Sequence, residues 1–128
     1  MNYEQAIAAY EMALEMDPMN VEAYSGLAEA YLGTGDEDKA IDTLLTGMDR
    51  TGDDSLTDQL VDIYMGIASP LIDAEKYDEA LAILKEGYEN TDNKKIKDKI
   101  DEIENLLKVI EEERQRQEEE DRKTRFLR

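Results

Sequence analysis

Apolar residues recur every three or four positions along most of the chain, which is the spacing that places side chains on one face of an α-helix. The clearest case is residues 20–52, where two apolar stripes flank a short polar segment, Gly33-Thr34-Gly35-Asp36. We therefore expect a helix, a tight turn and an antiparallel return helix in this stretch. The first stripe consists of Tyr24, Leu27, Ala28 and Tyr31, and the second consists of Ala40, Ile41, Leu44 and Leu45.

The same register recurs on both sides of this hairpin. If the small residue near the start of each return helix is taken as the mark, Ala6, Ala40 and Ala80 are equivalent. The first interval is 34 residues and the second is 40. The residues four positions after the marks are large and apolar, namely Tyr10, Leu44 and Leu84.

This spacing of small and aromatic residues, together with the 34-residue interval, resembles the tetratricopeptide repeat. The resemblance implies an all-α fold, a right-handed solenoid of antiparallel helical hairpins. The proline that the family carries at the repeat boundary is kept at Pro18, whereas Gly52 and Asp92 occupy the equivalent positions. One repeat is thus close to the family pattern, the next is longer and divergent, and the first is a half repeat.

The N-terminal helix, predicted over residues 2–17, is the second helix of a repeat whose first helix is absent from the sequence. Its apolar side therefore lacks a partner. Either the chain begins inside a longer repeat array, which we prefer, or a symmetric dimer covers this side. The side consists of Ala6, Ile7, Tyr10, Ala13 and Leu14.

Local signals predict the helix boundaries. Pro18 should stop the first helix and Asn20 should cap the next. Asp36 and the two acidic residues after it suit the positive end of the return helix, predicted over residues 37–50. They lack the spacing of a calcium loop, and Gly33-Thr34-Gly35 lacks the third glycine and the strand of a phosphate-binding loop.

The longer repeat should carry its six extra residues at the start of its first helix. A capping-box-like start is predicted at Ser55 and Asp58, and apolar residues follow at helical spacing. Pro70 lies inside this helix and presses on the carbonyl of Gly66. We expect a kink there with the helix continuing to about Asp73. A helix that ends at Ala68 is the competing interpretation.

A third return helix is predicted over residues 77–89, and a last helix capped by Thr91 or Asp92 should cover this hairpin rather than form a coiled coil. After Ile110 the chain is almost wholly polar. It is expected to be an exposed helix that frays near Lys123, and to act as a linker or else pair with a second chain. We divide the chain into a solenoid, residues 1–110, and a charged extension, residues 111–128. The apolar residues of the last helix are Ile96, Ile100, Ile103, Leu107 and Ile110.

Charge and composition exclude several classes of function. The formal net charge is −18, which disfavours binding to nucleic acid or to an anionic membrane surface. The chain has neither Cys nor His, so thiol nucleophiles, a Ser-His-Asp triad and the usual zinc sites are excluded. We expect no cofactor, no metal and no enzymatic activity. No apolar run is long enough to span a membrane, and a soluble domain, with a cytoplasmic location preferred, is expected.

The resemblance implies a scaffold that binds a peptide or a helix of another protein on a concave surface lined by the first helices of the repeats. Several relatives hold a C-terminal carboxylate with Lys, Arg and Asn at the inward positions, and this chain has none of those residues there. The inward positions that the resemblance assigns are Glu22, Ser25, Glu29, Leu32 and Gly33 in one repeat and Asp62, Met65, Ser69, Ile72 and Asp73 in the next.

These inward positions predict a partner that carries Lys or Arg beside a few apolar anchors. The alternative for Leu32, Met65 and Ile72 is that they simply pack against neighbouring helices. A second class of function is self-association, as a homodimer, through the unpaired N-terminal helix or through the C-terminal helix. A more remote alternative is a non-catalytic fragment of a larger enzyme or of a membrane-anchored protein.

Overall fold

The computed structural model describes residues 2–127, and helices account for nearly all of them. Each helix packs against the next one along the chain, and α2 also contacts α4. This arrangement is the all-α solenoid of helical hairpins that the repeat pattern predicts, so the predicted fold class is confirmed. Within the described residues the helices are α1 (Tyr3–Met16), α2 (Val21–Gly33), α3 (Glu37–Thr51), α4 (Asp54–Asp73), α5 (Tyr77–Thr91) and α6 (Lys94–Leu127).

Short polar side chains cap the first helices, because the first backbone N–H groups of a helix have no partner inside it. Asn20 Oδ1 accepts a bond from the amide of Ala23 at 3.1 Å, as predicted. The start of α4 differs from the prediction. Its cap is Asp53, which accepts bonds from both the amide and the hydroxyl of Ser55, so Ser55 lies inside the helix rather than at its cap.

The last helix differs from its prediction at both ends. Neither Thr91 nor Asp92 caps it. Asn93 does, because its Oδ1 accepts a bond from the amide of Lys95 at 2.8 Å. Nor does the helix fray near Lys123, since it continues to Leu127.

Helix α4 contains Pro70 and nevertheless continues to Asp73. The competing interpretation, a helix that ends at Ala68, is therefore wrong. The helix begins well before Val61, which is equivalent to the start of α2 in the register set by Ala40 and Ala80. The extra length of this repeat thus lies at the N-terminal end of its first helix, as predicted.

The core lies between the two helices of each hairpin and between successive hairpins. The alanines that the repeat pattern places at the close approaches are buried: Ala28 and Ala40 in one hairpin, Ala68 and Ala80 in the next. Small side chains let the helix backbones approach, and leucines and isoleucines fill the space around them. Burial of this apolar surface is the main force that holds the hairpins together.

A tyrosine of each first helix packs on a glycine of its return helix, and the contact recurs at equivalent positions of the two hairpins. A Cβ atom added at Gly47 would lie 2.7 Å from the ring of Tyr24, and one added at Gly87 would lie 2.8 Å from the ring of Tyr64. The hydroxyl groups of the two tyrosines also accept hydrogen bonds from equivalent positions. Arg50 donates to Tyr24 at 3.3 Å, and Asn90, at the equivalent position of the next return helix, donates to Tyr64 at 2.8 Å.

Helix α6 follows the same register as α4. Asn93 caps it where Asp53 caps α4, and Ile96 is fully buried, as Leu56 is. Three buried positions of α4, among them Tyr64, which contacts Gly87 of α5, carry charged residues in α6. These positions are Val61, Tyr64 and Ala68 in α4 and Asp101, Glu104 and Lys108 in α6.

One face of α6 packs on α5 and the facing side is polar, which is the arrangement expected of a helix that caps a solenoid, and the capping role stays a prediction. Beyond Leu107 every described side chain of α6 is exposed, although the helix itself continues without interruption. The division into a solenoid, residues 1–110, and an extension, residues 111–128, stays a prediction.

Helix α1 covers one side of α2 but has no fully buried residue of its own. Ala6, Ile7 and Tyr10 are only half-buried, whereas the equivalent residues of α3 are buried. The outer side of α1 also exposes Met12 and Met16. The apolar side predicted to lack a partner is thus partly open. None of the helices within residues 2–127 is both long enough and apolar enough to cross a bilayer.

Replacing Gly87 by Ala should destabilise the fold, because the new methyl group meets the ring of Tyr64 in a packed interior. We expect the free energy of unfolding to fall by about 1–2 kcal/mol. The cost of overpacking the interior is larger than the gain in helix propensity that alanine brings over glycine. The matched control is Gly66→Ala, where a Cβ meets nothing within 4 Å. That variant should gain about 0.5–1 kcal/mol. Urea unfolding measures the free energy of unfolding of both variants. Equal changes in the two would contradict the close contact between Gly87 and the ring of Tyr64.

The buried hydroxyl of Tyr64 should make stability depend on alkaline pH. Burial raises the pKa of Tyr64 to about 12, whereas an unfolded tyrosine titrates near pH 10. The folded state therefore holds this proton more tightly, and the stability that it contributes is complete below pH 10 and is lost as the pH rises toward 12. At pH 8, Tyr64→Phe should be less stable by about 1 kcal/mol, since the bond from Asn90 is lost.

The difference between wild type and Tyr64→Phe should then narrow between pH 8 and pH 11, because only the wild type loses stability through this group. Urea unfolding at the two pH values measures the change. Comparing the two proteins at each pH removes the effect of lysine titration, which both share. A difference that stays constant would show that Tyr64 titrates alike in the folded and unfolded states.

Candidate functional site

The first helices of the repeats, α2 and α4, form a cleft on the side that the repeat pattern predicts to be concave. This α2–α4 cleft has a volume of about 460 Å³. Its floor is apolar and carboxylates stand at its edge, because α4 turns one face, from Gln59 to Pro70, toward α2. The lining residues are Glu29, Leu32, Glu37, Gln59, Asp62, Ile63, Gly66, Ile67 and Pro70.

Helical spacing explains how the carboxylates reach this cleft. Glu29 and Leu32 are three residues apart on α2 and so share a face. Asp62 and Gly66 are four apart on α4 and share the facing side. Glu37 enters from the first turn of α3, directly after the tight turn. The nine lining residues include three carboxylates and, within the described chain, no Lys or Arg.

A second cleft lies between α4 and α6 and has a volume of about 440 Å³. In this α4–α6 cleft the carboxylate of Asp73 faces the same space as Lys99, which is ion-paired with Glu102 at 3.0 Å. The two clefts share only Gly66, so α4 is the wall between them. The lining residues are Met65, Gly66, Ala68, Ser69, Ile72, Asp73 and Lys99.

The predicted inward positions fall into three groups. Glu29, Leu32 and Asp62 lie together in the α2–α4 cleft, and four residues of the second repeat lie in the α4–α6 cleft: Met65, Ser69, Ile72 and Asp73. The remaining three line neither cleft. Glu22 is exposed near the start of α2, the carbonyl of Ser25 accepts a bond from Gln59, and Gly33 lies against the ring of Tyr3 from α1.

Three polar residues of the clefts were not among the predicted positions: Glu37, Gln59 and Lys99. Gln59 Nε2 donates to the carbonyl of Ser25 at 3.0 Å and so links α4 to α2. Lys99 is its equivalent in α6, one repeat later, and brings the one positive charge among the residues that line the two clefts. The spacing along α4 places Gln59 three residues before Asp62, and the register set by Ala40 and Ala80 then aligns Lys99 with Gln59 and makes α6 a third first helix.

The return helices form a different kind of surface. A third cleft, between α1, α2 and α3, contains Tyr31, whose hydroxyl donates to Glu11 at 3.1 Å. Burial and then the bond to Glu11 raise the pKa of Tyr31, so its phenol stays protonated. Lys39 Nζ lies 5.7 Å from the centre of the same ring, within reach of a cation–π contact. These contacts join two repeats and have a structural role.

The chemistry that the two first-helix clefts offer is binding. Three carboxylates, one amide and apolar side chains surround the α2–α4 cleft, and one carboxylate, one lysine, one hydroxyl and apolar side chains surround the α4–α6 cleft. Carboxylates can accept hydrogen bonds from a cationic ligand, and the apolar side chains can bury its apolar groups. Within residues 2–127, no group of three or more Asp or Glu side chains is arranged to hold a metal ion.

Comparison with known families agrees with the geometry. The family model for the tetratricopeptide repeat matches residues 2–62, which span α1 to the first half of α4. Together with the helical-hairpin solenoid of the described residues, this match supports a repeat protein of the tetratricopeptide type. Repeats of this family generally act as protein–protein interaction modules and are typically non-catalytic scaffolds. No curated protein matches the chain as a whole at a significant level.

Proposed function

We propose that the α2–α4 cleft binds a peptide segment of another protein in which Lys or Arg residues flank apolar anchors. The observation that carries the proposal is the lining of this cleft. Three carboxylates, Glu29, Glu37 and Asp62, stand around an apolar floor that includes Ile63 and Ile67. Such a lining favours the binding of a ligand that carries both positive charge and apolar surface.

The charge of the whole chain supports the same partner. With a net charge of −18, the protein attracts basic segments before contact and repels acidic ones. The attraction involves exposed carboxylates, so it weakens as salt rises. Apolar burial on the floor of the cleft is much less sensitive to salt, and it supplies the part of the affinity that persists at physiological ionic strength.

The α4–α6 cleft extends this proposed groove along the solenoid. Met65 and Ile72 offer apolar surface, and Ser69 offers a hydroxyl. Asp73 lies opposite Lys99, so this cleft is closer to neutral than its neighbour and suits the uncharged part of a ligand. The basic residues of the peptide are therefore placed against α2 and α4, and its remainder runs toward α6.

A second candidate function is self-association through α1, favoured by one observation. The residues of α1 equivalent to buried Ala40, Ile41 and Leu44 are only half-buried, and Met12 and Met16 beside them are exposed. A symmetric dimer would cover this side.

Selection from a random peptide library displayed on phage should enrich sequences with Lys or Arg next to Leu, Ile, Met or Phe. For an enriched peptide, Glu29→Lys with Asp62→Lys should raise the dissociation constant at least about tenfold. The measurement is fluorescence anisotropy at low and at physiological salt, with helicity monitored by circular dichroism.

The matched control for this test is Asp49→Lys with Glu89→Lys. These residues are exposed, occupy equivalent positions on the two return helices, and line none of the clefts described above. The charge change is the same, so the control separates a local role of the cleft from the effect of net charge. Equal losses in the two double variants would contradict the assignment to the α2–α4 cleft.

A further inference from the structure

The charge of the chain is distributed very unevenly. All 33 carboxylates lie in residues 1–121, together with 11 of the 15 Lys and Arg residues. The last seven residues contain the other four cations and no carboxylate. The final turns of α6 are thus a basic segment on an otherwise strongly acidic protein.

The same segment carries the most exposed large apolar pair of the protein. Phe126 is 91% exposed and Leu127 is 86% exposed. They lie beside Arg122 and Lys123 on one face of the helix, since positions four apart share a side. The two side chains together offer exposed apolar surface that a partner could bury.

The cations of this segment are also available for a partner. Upstream in α6, arginines are paired within the helix: Arg114 with Glu111 and Glu118, and Arg116 with Glu113. Among residues 2–127, by contrast, no carboxylate forms an ion pair with Arg122, Lys123 or Arg125. Glu118, Glu119 and Asp121 lie four residues before these three cations, but Glu118 pairs instead with Arg114.

We infer that residues 122–127 of one molecule bind in the α2–α4 cleft of a second molecule. This inference rests on the proposed function, since it names a ligand for the same cleft. The segment and the cleft are complementary in charge and in apolar surface. Arg122, Lys123 and Arg125 meet the carboxylates of Glu29, Glu37 and Asp62, and Phe126 with Leu127 lies against the apolar floor.

The length of α6 explains why the cleft belongs to a second molecule. Leu107 is the last half-buried residue of α6, and the helix continues without a break to Leu127. At 1.5 Å per residue, Phe126 lies about 28 Å beyond Leu107 along the helix axis. A continuous helix cannot turn back over that distance, so the segment cannot reach the cleft of its own chain.

Pairing of two extensions with each other is a weaker alternative. Residues 111–121 contain no apolar residue, so they offer no stripe for a coiled coil. Their charges are already paired within the helix at several positions. The basic end and the acidic cleft are different surfaces, and a contact between them is heterologous. Such a contact continues from molecule to molecule unless it closes into a ring.

Sedimentation equilibrium of the full chain at low salt tests the inference. The weight-average molar mass of the wild type should rise with concentration and pass that of a dimer. Phe126→Ser with Leu127→Ser, at the end of α6, should raise the dissociation constant at least about tenfold. Glu29→Lys with Asp62→Lys, in the cleft, should do the same, whereas Asp49→Lys with Glu89→Lys should assemble as the wild type does.

Mixing the two defective variants gives the sharpest readout. The end variant keeps an intact cleft, and the cleft variant keeps an intact end, so one contact can form between them. An equimolar mixture should yield a heterodimer and nothing larger, because the remaining end and the remaining cleft are both defective. A symmetric contact between identical surfaces predicts no recovery in the mixture.

Three results would overturn the inference: a wild type that stays monomeric at all concentrations, an end variant that assembles normally, or assembly that is abolished by Met12→Ser with Met16→Ser alone. The peptide measurements separate this failure from that of the proposed function. If library peptides still bind in a cleft-dependent manner, only the identity of the ligand is wrong. If no basic peptide binds, the proposed function fails as well.

Discussion

The contact of a tyrosine ring with a glycine of the facing helix sets the geometry of both hairpins. Tyr24 on Gly47 and Tyr64 on Gly87 bring each first helix close to its return helix at one fixed point. Because the two contacts occupy equivalent positions in successive repeats, α2 and α4 have the same relation to their return helices and lie side by side. The α2–α4 cleft is the space that this repetition leaves between them.

Much of this fold can be predicted from short-range signals in the sequence. Pro18 cannot continue a helix, Asn20 can cap one, and Ala28 and Ala40 are small where two backbones approach, so the central hairpin was predicted to within a residue or two. The misplaced caps have a common cause. Several adjacent polar residues were able to cap α4 and α6, and the choice depends on how the connector turns. Gly52 and Asp92 adopt left-handed conformations that direct Asp53 and Asn93, rather than their neighbours, to the helix ends.

The candidate site was less accessible to sequence reasoning. Positions on one helix, such as Glu29 and Leu32 or Met65 and Ser69, can be grouped from their spacing alone. Glu37 and Lys99 reach the clefts from other helices, and their positions depend on how the helices stack, which the spacing along a single helix does not encode. The long exposed part of α6 was expected to be a helix that frays near Lys123. Arg114 and Arg116 are paired with carboxylates three and four residues away, which supports the exposed helix, and it continues to Leu127.

The proline inside α4 has an effect on the wall shared by the two clefts. Pro70 has no amide hydrogen, so the carbonyl oxygen of Gly66 lacks the donor that an α-helix would supply at that place. Gly66 is exposed, has no side chain to shield the oxygen, and lines both clefts. The wall thus offers a main-chain acceptor whose position is fixed by the helix rather than by a mobile rotamer. The ability of this carbonyl oxygen to accept a hydrogen bond does not vary with pH, whereas that of the surrounding carboxylates does.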